Sequence, residues 1–273
     1  MSEFHVEHNA RPEIVRVILH CARNGDKERL AVETGKSLRT IERMLPMIRQ
    51  MGLLHDGNTF ATTELGERVA MLIQQSPALF PEVVHHLLYT AHTFDETKRR
   101  SWAYARVVNA LWGGGERALD GKAKAQLVGT VVDEAAQTFN IPIEQIVFSD
   151  DSVRGVLNWL RALDPPVVNS EGRTDLFHRR YFCPPPMFLW AVDFLYCASS
   201  VTYGVRLFLT LERIEQLCKL CVLDPSGLDN VLMMAKRMSD YERGGVFDYG
   251  TEGGFGRWLL LAHPCPVPML PER

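Results

Sequence analysis

Basic and amide side chains recur in this chain at spacings that gather them on one side of a helix, and their chemistry suits phosphates and base edges. Between Gly35 and Gly52, Lys36 precedes a run in which Arg39, Arg43 and Gln50 project away from Leu38, Ile41, Leu45 and Ile48 at 100° per residue. Arginine and lysine neutralise phosphates, and arginine and glutamine also address base edges in a groove. A second stretch, SVRGVLNWLRAL at 152–163, sets Arg154, Asn158 and Arg161 opposite Val153, Val156, Leu160 and Leu163. After it, PVVNSEGRTDLFHRRYF brings Arg173, His178, Arg179 and Arg180 to the tip and return strand of an expected hairpin. The competing reading of each face is a solvated Arg/Glu surface, with Glu42 pairing its neighbours.

Other chemistries fit less well. Cys218, Cys221, His263 and Cys265 are ligands that zinc would accept, but Cys218 to Cys221 lies in an apolar helical run where cysteine serves as a small core residue. His85, His86 and His92 do not share one helical face, so packing is expected of them and not metal binding. Glu96-Thr97-Lys98, with Asp95 or Glu82 as a second carboxylate, resembles the E-x-K of metal-dependent nucleases, yet the segment reads as a helix end and loop, not as adjacent strands holding magnesium. Asp150-Asp151 suits a helix start. The glycines of GTEGGFG lack the Lys-Ser/Thr of a phosphate loop. Neither an enzyme activity nor a cofactor is expected, and no metal.

The elements that must position the first basic face follow from punctuation. Pro12 opens a helix over 12–23 with Ile14, Val15, Ile18 and Leu19 as its apolar stripe. Asp26 can cap KERLAVET, which Gly35 stops, and Ser37 can cap LRTIERMLPMIRQM, which Gly52 stops. Pro46 is expected to bend that third helix. Asp56-Gly57 between LLH and NTFATT signals a hairpin. The stretch ETGKSLRTIERMLPMIRQMGLLHDGNTFATTELG resembles the winged helix-turn-helix superfamily, including T-x-L-G before another helix, over residues 10 to 72. The resemblance implies a recognition helix at 38–50 and a wing around Gly57. Winged helices serve as protein-docking modules as well.

A shift of 115 lays residues 152–163 under 37–48 and Gly172 under Gly57, which suggests a second winged helix over 142–186. Residues 76–141 read as a helical linker bundle broken at Gly113-Gly114-Gly115, with Trp102, Tyr104 and Trp112 in its core. Within 98–124, Lys98, Arg99, Arg100, Arg106, Arg117, Lys122 and Lys124 outnumber Glu116 and Asp120, a block that could extend a phosphate track. A third copy is expected over 187–273, where Asp229 replaces Arg39 and Met233 and Met234 suit a protein contact.

Composition is compatible with all of this. At 273 residues and 46% hydrophobic content, the chain can bury an ordinary core, and its net charge of -3 restricts nucleic-acid binding to local patches. The polar start and the lack of a long apolar run point to a cytoplasmic protein without a membrane partner, and the six dispersed cysteines to reduced thiols. The fold expected is mainly α with small β hairpins, as tandem winged helix-turn-helix modules around a helical middle. The function expected is non-enzymatic DNA binding, with RNA left open, and a protein partner on the C-terminal module. A transcription regulator would carry this pattern, as would a subunit of a bacterial genome-defence, CRISPR or mobile-element complex, which the overall layout looks like. The alternative is an adaptor whose winged helices dock proteins.

Overall fold

The structure, a computed structural model, describes residues 4–57, 59–172, 174–254 and 256–265. It is mainly helical with small antiparallel sheets. Contacts divide the chain into Met1–His178 and Arg179–Arg273. Residues 1–75, 76–141 and 142–178 thus share one unit, and the division falls at 178/179, where the expected boundary stood at 186. Among the described residues no helix is long and apolar enough to cross a membrane.

The first unit begins with α1 (Pro12–Arg23), α2 (Arg29–Thr34) and α3 (Leu38–Gln50). Pro12 occupies the first helical turn, where its missing N–H costs nothing. Asp26 accepts the Arg29 N–H at 3.2 Å, so α2 starts later than KERLAVET suggests, and Gly35 ends it in the left-handed region. Ser37 caps α3 by accepting the Thr40 N–H at 3.3 Å. The helix runs on through Pro46 to Gln50. Ile41, Met44, Leu45, Met47 and Ile48 are buried, whereas Leu38, expected on the apolar side, is 47% exposed at the first turn. A single bridge joins Leu54 to Thr62 before α4 (Glu64–Gln75), which Thr63 caps.

α5 (Phe80–Thr90) is buried along its whole length and packs on α6 (Arg99–Gly114). Trp102, Tyr104 and Trp112 of α6 are core residues, as expected. The middle is not purely helical, however. β1 (Arg117–Leu119) precedes α7 (Gly121–Phe139), α8 (Asp150–Arg161), β2 (Val168–Glu171) and β3 (Thr174–Phe177), and β1 pairs with β3. β2 and β3 form the hairpin expected around Gly172, whose φ of 64° is left-handed.

α8 is capped by a reciprocal pair, Ser149 and Ser152. Aligning this cap with Ser37 shifts α3 by 112 residues, not 115. The buried positions 41, 44, 45, 47 and 48 then coincide with 153, 156, 157, 159 and 160, all buried. On that register Arg39 corresponds to Asp151 and Arg43 to Gly155, so the basic pair of α3 is not repeated.

The second unit comprises α9 (Pro185–Ala198), β4 (Leu207–Phe208), α10 (Leu211–Leu220), α11 (Leu228–Met238), β5 (Phe247–Glu252) and β6 (Gly256–Leu261). Its element order repeats α6-β1-α7-α8-β2-β3. Both sheets place the last strand in the centre, in the orders β1-β3-β2 and β4-β6-β5. The glycines near 253–256 turn the β5–β6 hairpin.

Candidate nucleic-acid interface

α3 buries one side and leaves the other to solvent. Lys36, Arg39 and Arg43 are exposed, and among the described residues their side chains make no hydrogen bond or ion pair. Arg39 and Arg43, four residues apart, point within about 40° of one another. The only carboxylate on this stretch of α3, Glu42, faces Lys27 at 3.4 Å, so that pair cancels and three unopposed positive charges remain. An unpaired cation on a surface helix is held by no internal partner and can meet a phosphate without first breaking a contact.

The loop after α3 is fixed to it. Arg49 Nε donates to the His55 carbonyl at 3.1 Å, while the His55 N–H reaches the Ala61 carbonyl and the Thr63 N–H the Leu53 carbonyl, each at 3.1 Å. Gly57, at φ 81°, turns the exposed tip. This is a minimal hairpin with one bridge, and Asn58 lies outside the described residues. A hollow of about 320 Å³ opens between this loop and Asp95, Thr97 and Lys98. Gln50, expected on the binding face, is instead half-buried at the hollow's rim. Its side-chain oxygen accepts the Arg100 N–H at 3.2 Å and so closes the start of α6.

The other expected contacts are placed differently. Arg154 is exposed and pairs with Asp151 at 3.0 Å. Asn158 donates to the His8 carbonyl at 2.9 Å, and Arg161 donates to Asn158 at 3.0 Å and to Asp175 at 2.8 Å. Asp175 also takes Lys124 at 2.9 Å and the Ser170 hydroxyl at 2.9 Å. Burial raises its carboxyl pKa, but hydrogen bonds from Lys124 and Ser170 and the nearby charges outweigh burial and hold it below the usual value. Asn158 and Arg161 are therefore engaged inside the unit, where the N-terminal segment and the β2–β3 hairpin pack against α8, while Arg154 stays on the surface. Gly155 shows how closely: a Cβ there would lie 2.6 Å from the Val6 carbonyl oxygen.

Arg173 lies outside the described residues. Arg179 and Arg180 are not at a hairpin tip: they follow the hairpin and open the second unit. Arg179 faces Asp224 at 3.6 Å, and Arg180 is 3% exposed with its Nε donating to the Cys221 carbonyl at 2.8 Å. Desolvating a guanidinium is tolerable only with such partners, so Arg180 serves packing.

The basic block at 98–124 is partly tied down. Lys124 pairs with Asp175, Arg106 with Glu134 at 3.5 Å, and Arg117 donates to the Ala110 carbonyl; Lys122 is exposed, and Lys98, Arg99 and Arg100 are half-buried. In the second unit, Asp229 binds Arg257 through both oxygens at 2.7 and 3.1 Å.

Against family models, curated proteins and solved structures, this chain has no match.

The remaining chemistry resolves locally. Asp95 accepts the Thr97 N–H at 3.0 Å and its hydroxyl at 2.6 Å, whereas Glu82 is buried and accepts the Asp164 N–H at 3.0 Å, so they do not form a paired carboxylate site. His86 is enclosed, and burial drives its pKa down to about 3. Cys218 and Cys221 are core residues; burial pushes Cys218 up to about 12, and a hydrogen bond with Cys183 together with burial raises Cys221 further. Cys265 sits elsewhere, its N–H on Asp193 at 3.1 Å.

One cluster passed unnoticed in the sequence: His5, Glu7 and His8, whose ligating atoms all lie within 4.8 Å of one another. The signal was His-x-Glu-His itself, obscured because the segment reads simply as a polar start.

Proposed function

We propose that the chain binds duplex DNA through its first winged helix-turn-helix, with α3 in a groove and the loop around Gly57 against the adjacent backbone. The observation that carries this is the trio Lys36, Arg39 and Arg43, exposed and unpaired, the two arginines on one face of α3 and Lys36 just ahead of its N-cap, presented by a three-helix unit. The tandem reading is supported by the element order shared between α6–β3 and α9–β6, helix, strand, helix, helix, strand, strand, with the last strand central in each sheet. In this arrangement the α1–α3 module reads nucleic acid, while α8 engages Asn158 and Arg161 internally and pairs its exposed Arg154 with Asp151. Fluorescence anisotropy on a labelled duplex, titrated over salt, tests the reading: binding that weakens steeply with salt supports it, and absence of binding at low salt sinks it.

A second reading, an adaptor that docks proteins, is favoured by specific exposure. Val32 is 84% and Leu38 47% exposed beside the basic trio, and on α11 Met233, Met234 and Met238 are each 37–39% exposed. Methionines adapt to irregular apolar partners. Under this reading a stoichiometric partner co-purifies and α11 substitutions release it.

A further inference from the structure

We propose that His5, Glu7 and His8 form a binding site for one zinc-class divalent ion on the N-terminal segment, where that segment packs against α8. This goes beyond DNA binding and does not depend on it. Two imidazole nitrogens and one carboxylate are the donor set that zinc accepts, usually with water as a fourth ligand.

One donor atom from each of the three side chains lies within 4.8 Å of the others, and the carboxylate meets the two imidazoles through different oxygens, so a shared ion needs only a small adjustment of side chains. Ligands at about 2.0–2.2 Å from a tetrahedral ion stand about 3.3–3.6 Å apart. Glu7 Oε2 lies 3.5 Å from His5 Nε2, and Glu7 Oε1 lies 3.4 Å from His8 Nδ1. His8 Nδ1 is enclosed and makes no hydrogen bond despite that proximity, an orphaned nitrogen where a ligand is needed. Glu7 is 5% exposed, a degree of burial rarely seen for a carboxylate without a compensating cation. His5 and His8 are each about one-third exposed or less, so the cluster lies close to the surface.

Neighbours orient each ligand. His5 Nδ1 and Ser152 Oγ are 2.7 Å apart, which turns Nε2 toward Glu7 and lets the imidazole donate its remaining proton to the hydroxyl once Nε2 is metallated. The Asn9 backbone N–H holds Glu7 Oε1 at 3.3 Å. The Asn9 amide nitrogen donates to Glu7 Oε1 at 3.0 Å and lies 3.1 Å from His8 Nε2; loading through Nδ1 places the His8 proton on Nε2, so the Asn9–Glu7 bond is kept while the Asn9–His8 contact is given up. Asn158 fixes the His8 backbone, and Gly155 admits Val6. The cluster is thus built by α8 as much as by the His-x-Glu-His segment.

The experiment uses the full chain without a histidine tag, stripped with chelator and titrated with Zn(II), and separately with Co(II) as a spectroscopic stand-in. The expected result is one equivalent bound per chain, with Co(II) visible bands of low coordination number and no thiolate charge-transfer band. His5→Ala, Glu7→Gln and His8→Ala should each weaken binding at least tenfold, while Cys218→Ser/Cys221→Ser leaves it unchanged. No stoichiometric binding, a thiolate band, or parental affinity in the three variants overturns the site. Because the Co(II) spectrum of the parent already separates nitrogen and oxygen from sulfur ligation, the proposal stays testable even if a variant fails to fold.

Discussion

Replacing Arg39 and Arg43 together with alanine separates DNA recognition from stability. Both side chains are exposed and unpaired, so their loss removes no internal contact, and each substitution should move the unfolding free energy by no more than about 0.5 kcal/mol. Binding should respond quite differently. If each guanidinium neutralises one phosphate, the logarithmic salt slope falls in magnitude by about 0.9 per residue, or about 1.8 for the pair. Between 50 and 200 mM salt, a fourfold change, the parent should therefore lose about twelvefold more affinity than the variant. Adding Lys36→Ala should bring the change in slope to about 2.7. The assay is anisotropy on one duplex at four or more salt concentrations, with thermal melts of the same samples. A double variant that keeps the parent's affinity and slope refutes the assignment of α3. A variant that melts far below the parent refutes the claim that these side chains are free. Asp229→Ala is a poor control, since it strips Arg257 of its bidentate partner and uncovers a new cation; Arg154→Ala is better placed, because Arg154 is already paired with Asp151.

Acid should destabilise the fold in a residue-specific way. Burial lowers His86 to about 3, and burial with Arg106 nearby lowers His92 to about 4, whereas unfolded histidine titrates near 6.5. As pH falls below about 6.5 the unfolded chain takes up protons that the folded chain refuses, so stability drops by as much as about 1.4 kcal/mol per pH unit for each histidine until the folded pKa is reached. Urea melts between pH 7 and 4.5 should show a shallower decline for His86→Gln; an identical decline contradicts the buried neutral imidazole. Gly155→Ala should cost about 1–3 kcal/mol, because its Cβ meets the Val6 carbonyl, whereas Gly129→Ala, with open space around it, should gain up to about 1 kcal/mol. Equal Tm shifts for these two helical glycines would contradict the packing of the N-terminal segment. All six thiols are free, and under native conditions the exposed Cys197 should react with a thiol reagent well before Cys21 and Cys218, whose pKa values are raised by burial to about 11 and 12; simultaneous labelling would count against the core placement.

Local chemistry made parts of this molecule legible. α3 carries its own cap at Ser37, its own stop at Gly52 and a clean 3.6-residue period, so its limits and its exposed cations followed from residue types alone. The register of α8 slipped by three residues because three positions is close to one helical turn, and both alignments leave an apolar side. β1 escaped because three residues show no alternation; only its pairing with β3 makes it a strand. Arg180 was misplaced since its burial depends on the Cys221 carbonyl, 41 residues away, and no local pattern reports such a partner. The same holds for the face of α8, which is occupied by residues some 150 positions earlier.

That last distance has a consequence for synthesis. The contacts of His5 with Ser152 and of His8 with Asn158 span 147 and 150 residues. Translation at about 5–20 residues per second means that the segment leaves the ribosome roughly 7–30 s before its docking helix exists. During that interval α1 to α3 can already close on local contacts, while Phe4 waits for Trp102 and Phe139, and Val6 waits for Gly155. The nascent chain thus carries Phe4–His8 as a late piece of the first unit to be seated, and a bulky group held just ahead of that segment should slow maturation of the first unit more than one held after Cys265.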